Sequence, residues 1–166
     1  MIIGCPLWAQ NNETDQNKIK DKKKSILLYV MSTVAGYNTI TGLTYDFTPI
    51  GVEIPVSKLI GLRLEPSLIY YSAALKGFSF SMIFPFYFNT NKEIDLYNSF
   101  YIAPFVVPAI GFANNTIQFD AGAIAGFTWN LKTNLHFNVG LGLAYDFMFN
   151  IIDSYLDLNI GYWFKL

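Results

Sequence analysis

The chain has 166 residues, of which 52% are hydrophobic, 17% aromatic and only 14% charged. That length bounds one domain. So much apolar side chain with so little charge demands an apolar neighbour, a large core or lipid, since soluble domains carry about 25% charged residues. A net charge of −1 argues against an electrostatic nucleic-acid surface, and the lack of a run of about 18 apolar residues argues against a transmembrane helix.

The opening MIIGCPLWAQ is apolar up to Ala9 and then turns polar, like the end of a secretory signal peptide. It lacks a basic start and full apolar length, and Leu7 is a poor residue three before the cut. Residues 1–9 are therefore expected to be the remnant of a signal, cut after Ala9 to leave Gln10 as the mature start. Alternatively, Ile2-Ile3-Gly4-Cys5 resembles a lipobox, which makes Cys5 a lipidated N-terminus; an ordinary frayed terminus is a third reading. Residues 10–24 are polar and free of aromatics, and are expected to be a disordered leader. Its lysines, Lys18, Lys20, Lys22, Lys23 and Lys24, form a solvated tail or touch anionic headgroups or peptidoglycan. Cys5 is the lone cysteine and His136 the lone histidine, so neither an internal disulfide nor a structural zinc site is expected, and no cofactor or metal is assigned.

From about Ser25 the dominant signal is alternation, the period of a strand. The pattern predicts about eight strands, at roughly 25–36, 38–56, 59–72, 77–89, 97–112, 116–129, 134–148 and 154–166, with the second bulged near Pro49. The first two form one hairpin breaking near Gly36-Tyr37-Asn38. In 50–56, Ile50, Val52, Ile54 and Val56 oppose Gly51, Glu53 and Pro55; in 60–71, Leu62, Leu64, Leu68 and Tyr70 oppose Gly61, Arg63, Glu65 and Ser67. In 77–89, Phe78, Phe80, Met82, Phe84, Phe86 and Phe88 oppose Ser79, Ser81, Ile83, Pro85, Tyr87 and Asn89. The segment 97–112 is apolar on both faces and carries Pro104 and Pro108, which predicts bulges or weak pairing there. In 116–129, Ile117, Phe119, Ala121, Ala123, Ala125, Phe127 and Trp129 oppose Thr116, Gln118, Asp120, Gly122, Gly126 and Thr128. In 134–148, Leu135, Phe137, Val139, Leu141, Leu143, Tyr145 and Phe147 oppose Asn134, His136, Asn138, Gly140, Gly142, Ala144 and Asp146. In the last segment, Leu156, Leu158, Ile160, Tyr162, Phe164 and Leu166 oppose Tyr155, Asp157, Asn159, Gly161, Trp163 and Lys165. Turn-like breaks fall at 57–58, 74–77, 89–93, 114–115, 132–134 and 150–154.

Alternation fits a soluble lipocalin-like barrel, apolar inside and binding an apolar ligand. It fits equally an inverted membrane barrel, apolar outside. Three features favour the second. The polar face holds Gly, Ser and Asn where a wet strand carries Lys and Glu. The apolar face runs for six or seven alternate positions, enough for a crossing of about 9–11 residues. Aromatics gather near strand ends, at Tyr70, Phe127, Trp129, Tyr145, Phe147, Tyr162 and Phe164, where membrane girdles sit. Closure also pairs every backbone polar group, as lipid requires. The expected fold is thus a closed up-and-down antiparallel transmembrane β-barrel over 25–166, porin-like in its wall, with Phe78, Phe80, Phe84, Phe86, Leu141, Leu143, Ile160 and Phe164 facing lipid.

The ending Leu158-Asn159-Ile160-Gly161-Tyr162-Trp163-Phe164-Lys165-Leu166 resembles the terminal strand that the barrel assembly machinery reads in bacterial outer-membrane proteins, although those commonly end in Phe. From about Ser25 onward the chain resembles the small outer-membrane barrel families of the OmpA-domain and OmpX type. The resemblance implies a bacterial outer-membrane location, outer-membrane lipid and the assembly machinery as partners, and both termini in the periplasm. It puts 73–76, 113–115 and 149–153 outside, which is short for outer loops, and the longer 89–96 in the periplasm.

The interior face is expected to hold Glu53, Arg63, Glu65, Asp120, His136, Asp146 and Asp157. An eight-stranded barrel is filled by side chains, so these charges must pair, with Arg63, Glu53 and Glu65 the natural cluster and no open pore. His136 with Asp120 or Asp146 raises a lipid-modifying hydrolase. The resembling lipid A deacylases carry a Ser two residues after their His, where this chain has Asn138. The favoured reading is a non-enzymatic outer-membrane barrel with a structural, envelope or small-solute role.

Overall fold

The computed structural model describes residues 25–38, 42–57, 59–71, 74–88, 98–113, 115–131 and 134–165. The expected signal remnant, the leader, Cys5, the 89–96 connection and Leu166 lie outside these. The strands are β1 (Ser25–Asn38), β2 (Gly42–Thr48), β3 (Gly51–Pro55), β4 (Gly61–Tyr71), β5 (Ala74–Ile83), β6 (Phe86–Tyr87), β7 (Ser99–Gly111), β8 (Ile117–Asn130), β9 (Leu135–Asp146) and β10 (Ile151–Lys165). Each pairs antiparallel with its chain neighbours, and β10 closes on β1 from Ser25↔Lys165 to Tyr37↔Ser154. Because β2 with β3, and β5 with β6, each act as one interrupted strand, the ring has eight strands. Among the described residues the sheet closes on itself, so most backbone groups find partners within the wall.

The interruptions have chemical causes. Pro49 cannot donate to the ladder and marks the step from β2 to β3. The step switches the inward face from Thr44, Asp46 and Thr48 to Gly51 and Glu53. A second parity switch sits in β1, where the register shifts between Tyr29 and Met31; Leu27 and Tyr29 point in before it and Ser32 after it. That switch hides the alternation of the first strand, which runs two residues past the expected Gly36 break. The break expected at 74–77 is instead part of β5, where a bulge opposite Ile69–Tyr70 absorbs the extra residue. Likewise β10 starts at Ile151, inside the break expected at 150–154. Asn115, Asn134 and Asn150 adopt left-handed backbone at three of the expected turns, a conformation asparagine tolerates best after glycine.

The weak pairing expected of Pro104 and Pro108 falls on one side only. The β7–β8 ladder runs unbroken from Ser99↔Thr128 to Ile110↔Ile117. Toward β5 and β6, Pro104 O accepts from Phe84 N at 3.0 Å, so the donor-less proline nitrogens face that seam. There the β5–β7 ladder skips Phe80 and Ser81.

The apolar side chains point outward. Leu141, Leu143, Phe78, Phe84, Phe86 and Phe164 are exposed, and Phe80 and Ile160 partly so. Rings cluster at both rims of the outer surface. Phe100, Phe127 and Trp129 stack near one end with Tyr162 and Phe164, and Phe119, Tyr145 and Phe147 near the other. Between them β8 offers Ala121, Ala123 and Ala125, and β9 Val139, Leu141 and Leu143. Nine residues of tilted strand, from Phe119 to Phe127, span about 20 Å, close to the apolar band of a membrane barrel. A lipocalin would put these side chains in its centre; here the centre is polar.

Candidate functional site

The lumen is the only place where this chain collects reactive side chains among the described residues. Its interior face alternates out of every strand, so each strand delivers a polar residue at a set height. Glycines open the space for the larger ones. A Cβ at Gly140 would stand 2.5 Å from Tyr101 Oη, and one at Gly126 2.6 Å from the same ring, so Tyr101 can lie across the lumen.

At the end that carries both strand termini, Trp163 Nε1 donates to Asn130 Oδ1 at 2.8 Å, and His136 Nδ1 lies 2.8 Å from the same oxygen. The His136 Nε2 is 3.4 Å from Tyr29 Oη. The next storey centres on Arg63, which is fully buried. Its Nε donates to Glu53 Oε2 at 3.2 Å and its Nη1 to Asp157 Oδ2 at 3.1 Å, while Glu65 Oε1 stays 4.0 Å from Nε. Tyr29 and Tyr87 also donate to Glu53, at 2.8 and 2.6 Å. Asp157 receives Asn138 and Asn159 at 2.8 and 2.7 Å, with Tyr101 more distant at 3.4 Å. The Arg63 guanidinium lies over the Tyr29 ring at 4.8 Å. Two carboxylates are thus dressed in charge-assisted bonds that repay their desolvation, and the storey blocks the bore.

Beyond it, Thr48 and Ser67 bond to each other, and Ile83, Ala103, Phe105, Ile124 and Ala144 form a small apolar layer. The far end then opens into a vestibule of about 510 Å³. Its lining includes Asp46, Asp120, Asp146, Asp153, Lys76 and Tyr155. Ser79 donates to Asp46 at 3.1 Å and Tyr155 to Asp120 at 2.8 Å. Asp146 Oδ1 caps the β9–β10 turn, accepting from Met148 N and Phe149 N at 2.7 and 3.0 Å.

The seven expected interior residues therefore fall into two separate groups. Glu53, Arg63, Glu65, Asp157 and His136 meet in the central storeys. Asp120 and Asp146 are paired in register at the vestibule instead. His136 and Asp146 stand at opposite ends of β9, about 33 Å apart along the strand, so the His136–Asp120 or His136–Asp146 pairing that a hydrolase would need does not form. Asp157, on β10 and distant from β3 in sequence but separated from it in the ring only by β1, completes the Arg63 cluster that sequence neighbours alone suggested. Several partners escaped the sequence reading. Tyr29 is hidden by the β1 bulge, Asp46 by the β2–β3 switch and Asp153 by its place in an expected turn. Tyr101 was legible as the inward neighbour of Ser99 on an otherwise apolar strand. Among the described residues, no group of three or more His, Cys, Asp or Glu is placed to hold a metal.

No protein-family model matches the chain, and no curated protein sequence does either. The fold does have solved counterparts. The crystal structure of Neisserial surface protein A superposes with a TM-score of 0.54 at 12% identity, covering 86% of this chain and 97% of that one. A de novo designed transmembrane β-barrel gives 0.47 at 19% identity over 87% of this chain and 98% of the design. The Ail attachment invasion locus protein of Yersinia pestis gives 0.39 at 12% identity over 87% of this chain and all (100%) of that protein. The first likeness supports the fold, a small transmembrane β-barrel, and nothing finer.

Proposed function

We propose that the chain is a bacterial outer-membrane β-barrel protein that serves as a non-enzymatic structural element of the envelope. The observation that carries this reading is the inversion of the wall: Phe and Leu face outward between two aromatic rims, and a fully buried Arg63–Glu53–Asp157 storey fills the bore. In this reading the termini face the periplasm, the β10 strand is the segment handed to the barrel assembly machinery, and the vestibule opens to the outside. Small solutes reach the vestibule and stop at Arg63. His136 serves packing: it is buried, bonded to Asn130, and followed two residues on by Asn138, where a deacylase-like site needs a hydroxyl.

The test is fractionation of expressing cells followed by electrophoresis with and without boiling. The protein should stay with outer membranes, migrate faster unboiled, and give no stable conductance in planar bilayers. Recovery from the soluble fraction without detergent would refute the membrane reading. A His136→Ala variant that lost lipid A or phospholipid turnover present in the parent would refute the non-enzymatic one.

A further inference from the structure

The central storey is unbalanced in charge and in hydrogen bonds, and both imbalances meet at Glu65. Three carboxylates, Glu53, Glu65 and Asp157, share one guanidinium, and all four side chains are fully buried. Glu53 and Asp157 take Arg63 Nε and Nη1 and the tyrosine and asparagine donors. Glu65 has Ser32 as its one neighbouring hydrogen-bond donor, and its one cationic approach is Arg63 at 4.0 Å. The neighbouring polar atoms have the same character. Asn138 and Asn159 both turn their amide nitrogens to Asp157, leaving Asn138 Oδ1 and Asn159 Oδ1 without donors. Ser32 Oγ faces Glu65 and itself accepts from no donor. Register places Ser32 opposite Asn159, and Asn159 opposite Asn138, so these three interior side chains sit side by side on β1, β10 and β9. Directly opposed residues have Cβ atoms about 4.5–5.5 Å apart. The storey thus presents a carboxylate with a single hydroxyl beside it and three neutral oxygens without a donor, all buried. An unmet buried acceptor is destabilising, the more so when charged, and buried polar groups in native structures are as a rule partnered.

We propose that Glu65, Ser32, Asn138 and Asn159 form an internal site for one sodium-sized monovalent cation. Hard cations take oxygen ligands of this kind, carboxylate plus carbonyl plus hydroxyl. One carboxylate with neutral oxygens suits a single positive charge, and the ion halves the uncompensated charge of the storey. The nearby Arg63 Nη2, which also lacks a partner, disfavours a divalent ion by repulsion. The inference concerns the interior of the barrel and stands whether or not the protein is an enzyme or lies in the outer membrane.

The experiment uses the full chain, folded in detergent. Its unfolding temperature is followed as sodium chloride replaces N-methylglucamine chloride at constant ionic strength, with the 23Na linewidth recorded in parallel. The expected result is a melting temperature that rises saturably with sodium, and a broadened 23Na signal that sharpens on thermal unfolding. Both responses should vanish in Glu65→Gln and weaken in Ser32→Ala, which leaves all charges in place. The double variant Asp120→Asn/Asp146→Asn should keep both, since the vestibule carboxylates lie elsewhere. A parent barrel indifferent to the choice of cation overturns the proposal and leaves ordered water as the partner of these oxygens. A sodium response retained in Glu65→Gln or lost in the vestibule double variant overturns it as well. If Glu65→Gln does not fold, an undiminished response in Ser32→Ala is enough to reject the site.

Discussion

The two ends of the lumen are built from the same residue types and have opposite designs. Around Arg63, carboxylates are dry, and each of Glu53 and Asp157 is held by Arg63 and by two or more neutral donors. In the vestibule, Asp46, Asp120, Asp146 and Asp153 line an open cavity in which Lys76 is the one cationic side chain among the lining residues. There Ser79 and Tyr155 donate to Asp46 and Asp120, and the turn amides of Met148 and Phe149 donate to Asp146. The difference teaches that the cost of a charge in a barrel interior depends on what surrounds it: the central carboxylates share one guanidinium in a closed storey, and those of the far end border an open cavity. It predicts that substitutions in the central storey are severe and those in the vestibule mild.

The sharpest way to break that contrast is Arg63→Met. Removing the guanidinium leaves Glu53, Glu65 and Asp157 buried without their cation, and we expect a loss of about 3–5 kcal/mol, or failure to fold, read from urea unfolding in detergent. A loss under 1 kcal/mol, within the scatter of ordinary substitutions, would mean that the storey is wetter than its burial implies. A smaller effect follows from Gly140→Ala. The added Cβ would meet Tyr101 Oη and Ile124 Cγ2, each at 2.5 Å, with Tyr101 pinned toward Asp157. Overpacking of this kind costs about 1–3 kcal/mol, visible as a lowered temperature for the loss of heat-modifiable migration. The least effect belongs to the vestibule. Asp120→Asn keeps an acceptor for Tyr155 and removes one charge from an acidic cluster beside an open cavity, so stability should change by no more than about 0.5 kcal/mol. A cost there equal to that of Arg63→Met would erase the distinction between the two ends.

How much of this was legible in the residues depends on the strand. In β8, β9 and β10 nothing interrupts the alternation, and the faces read from sequence are those of the fold, down to Ile160 outward and Asn159 inward. From β1 to β3 the faces were obscured, because the bulge at Val30 and the step at Pro49 each reverse the parity, and a period of two cannot survive an extra residue. The prolines of β7 were readable as a weakness, but which neighbour would feel it depends on the side to which each backbone nitrogen points. The candidate site was legible as a list of inward charges and not as an arrangement. Whether Asp146 joins His136 or Asp120 depends on register and height along the wall, and those come from the ladder and not from residue type.

The central claim is inversion of the wall, and site-directed spin labelling tests it most directly. With Cys5→Ser as background, a nitroxide on Leu141→Cys of the reconstituted protein should collide freely with oxygen and little with a water-soluble nickel chelate. A label on Asn150→Cys in the β9–β10 turn should show the reverse. The account predicts that contrast; a Leu141 label exposed to the nickel chelate as strongly as the one at position 150, or shielded from both reagents, would contradict it.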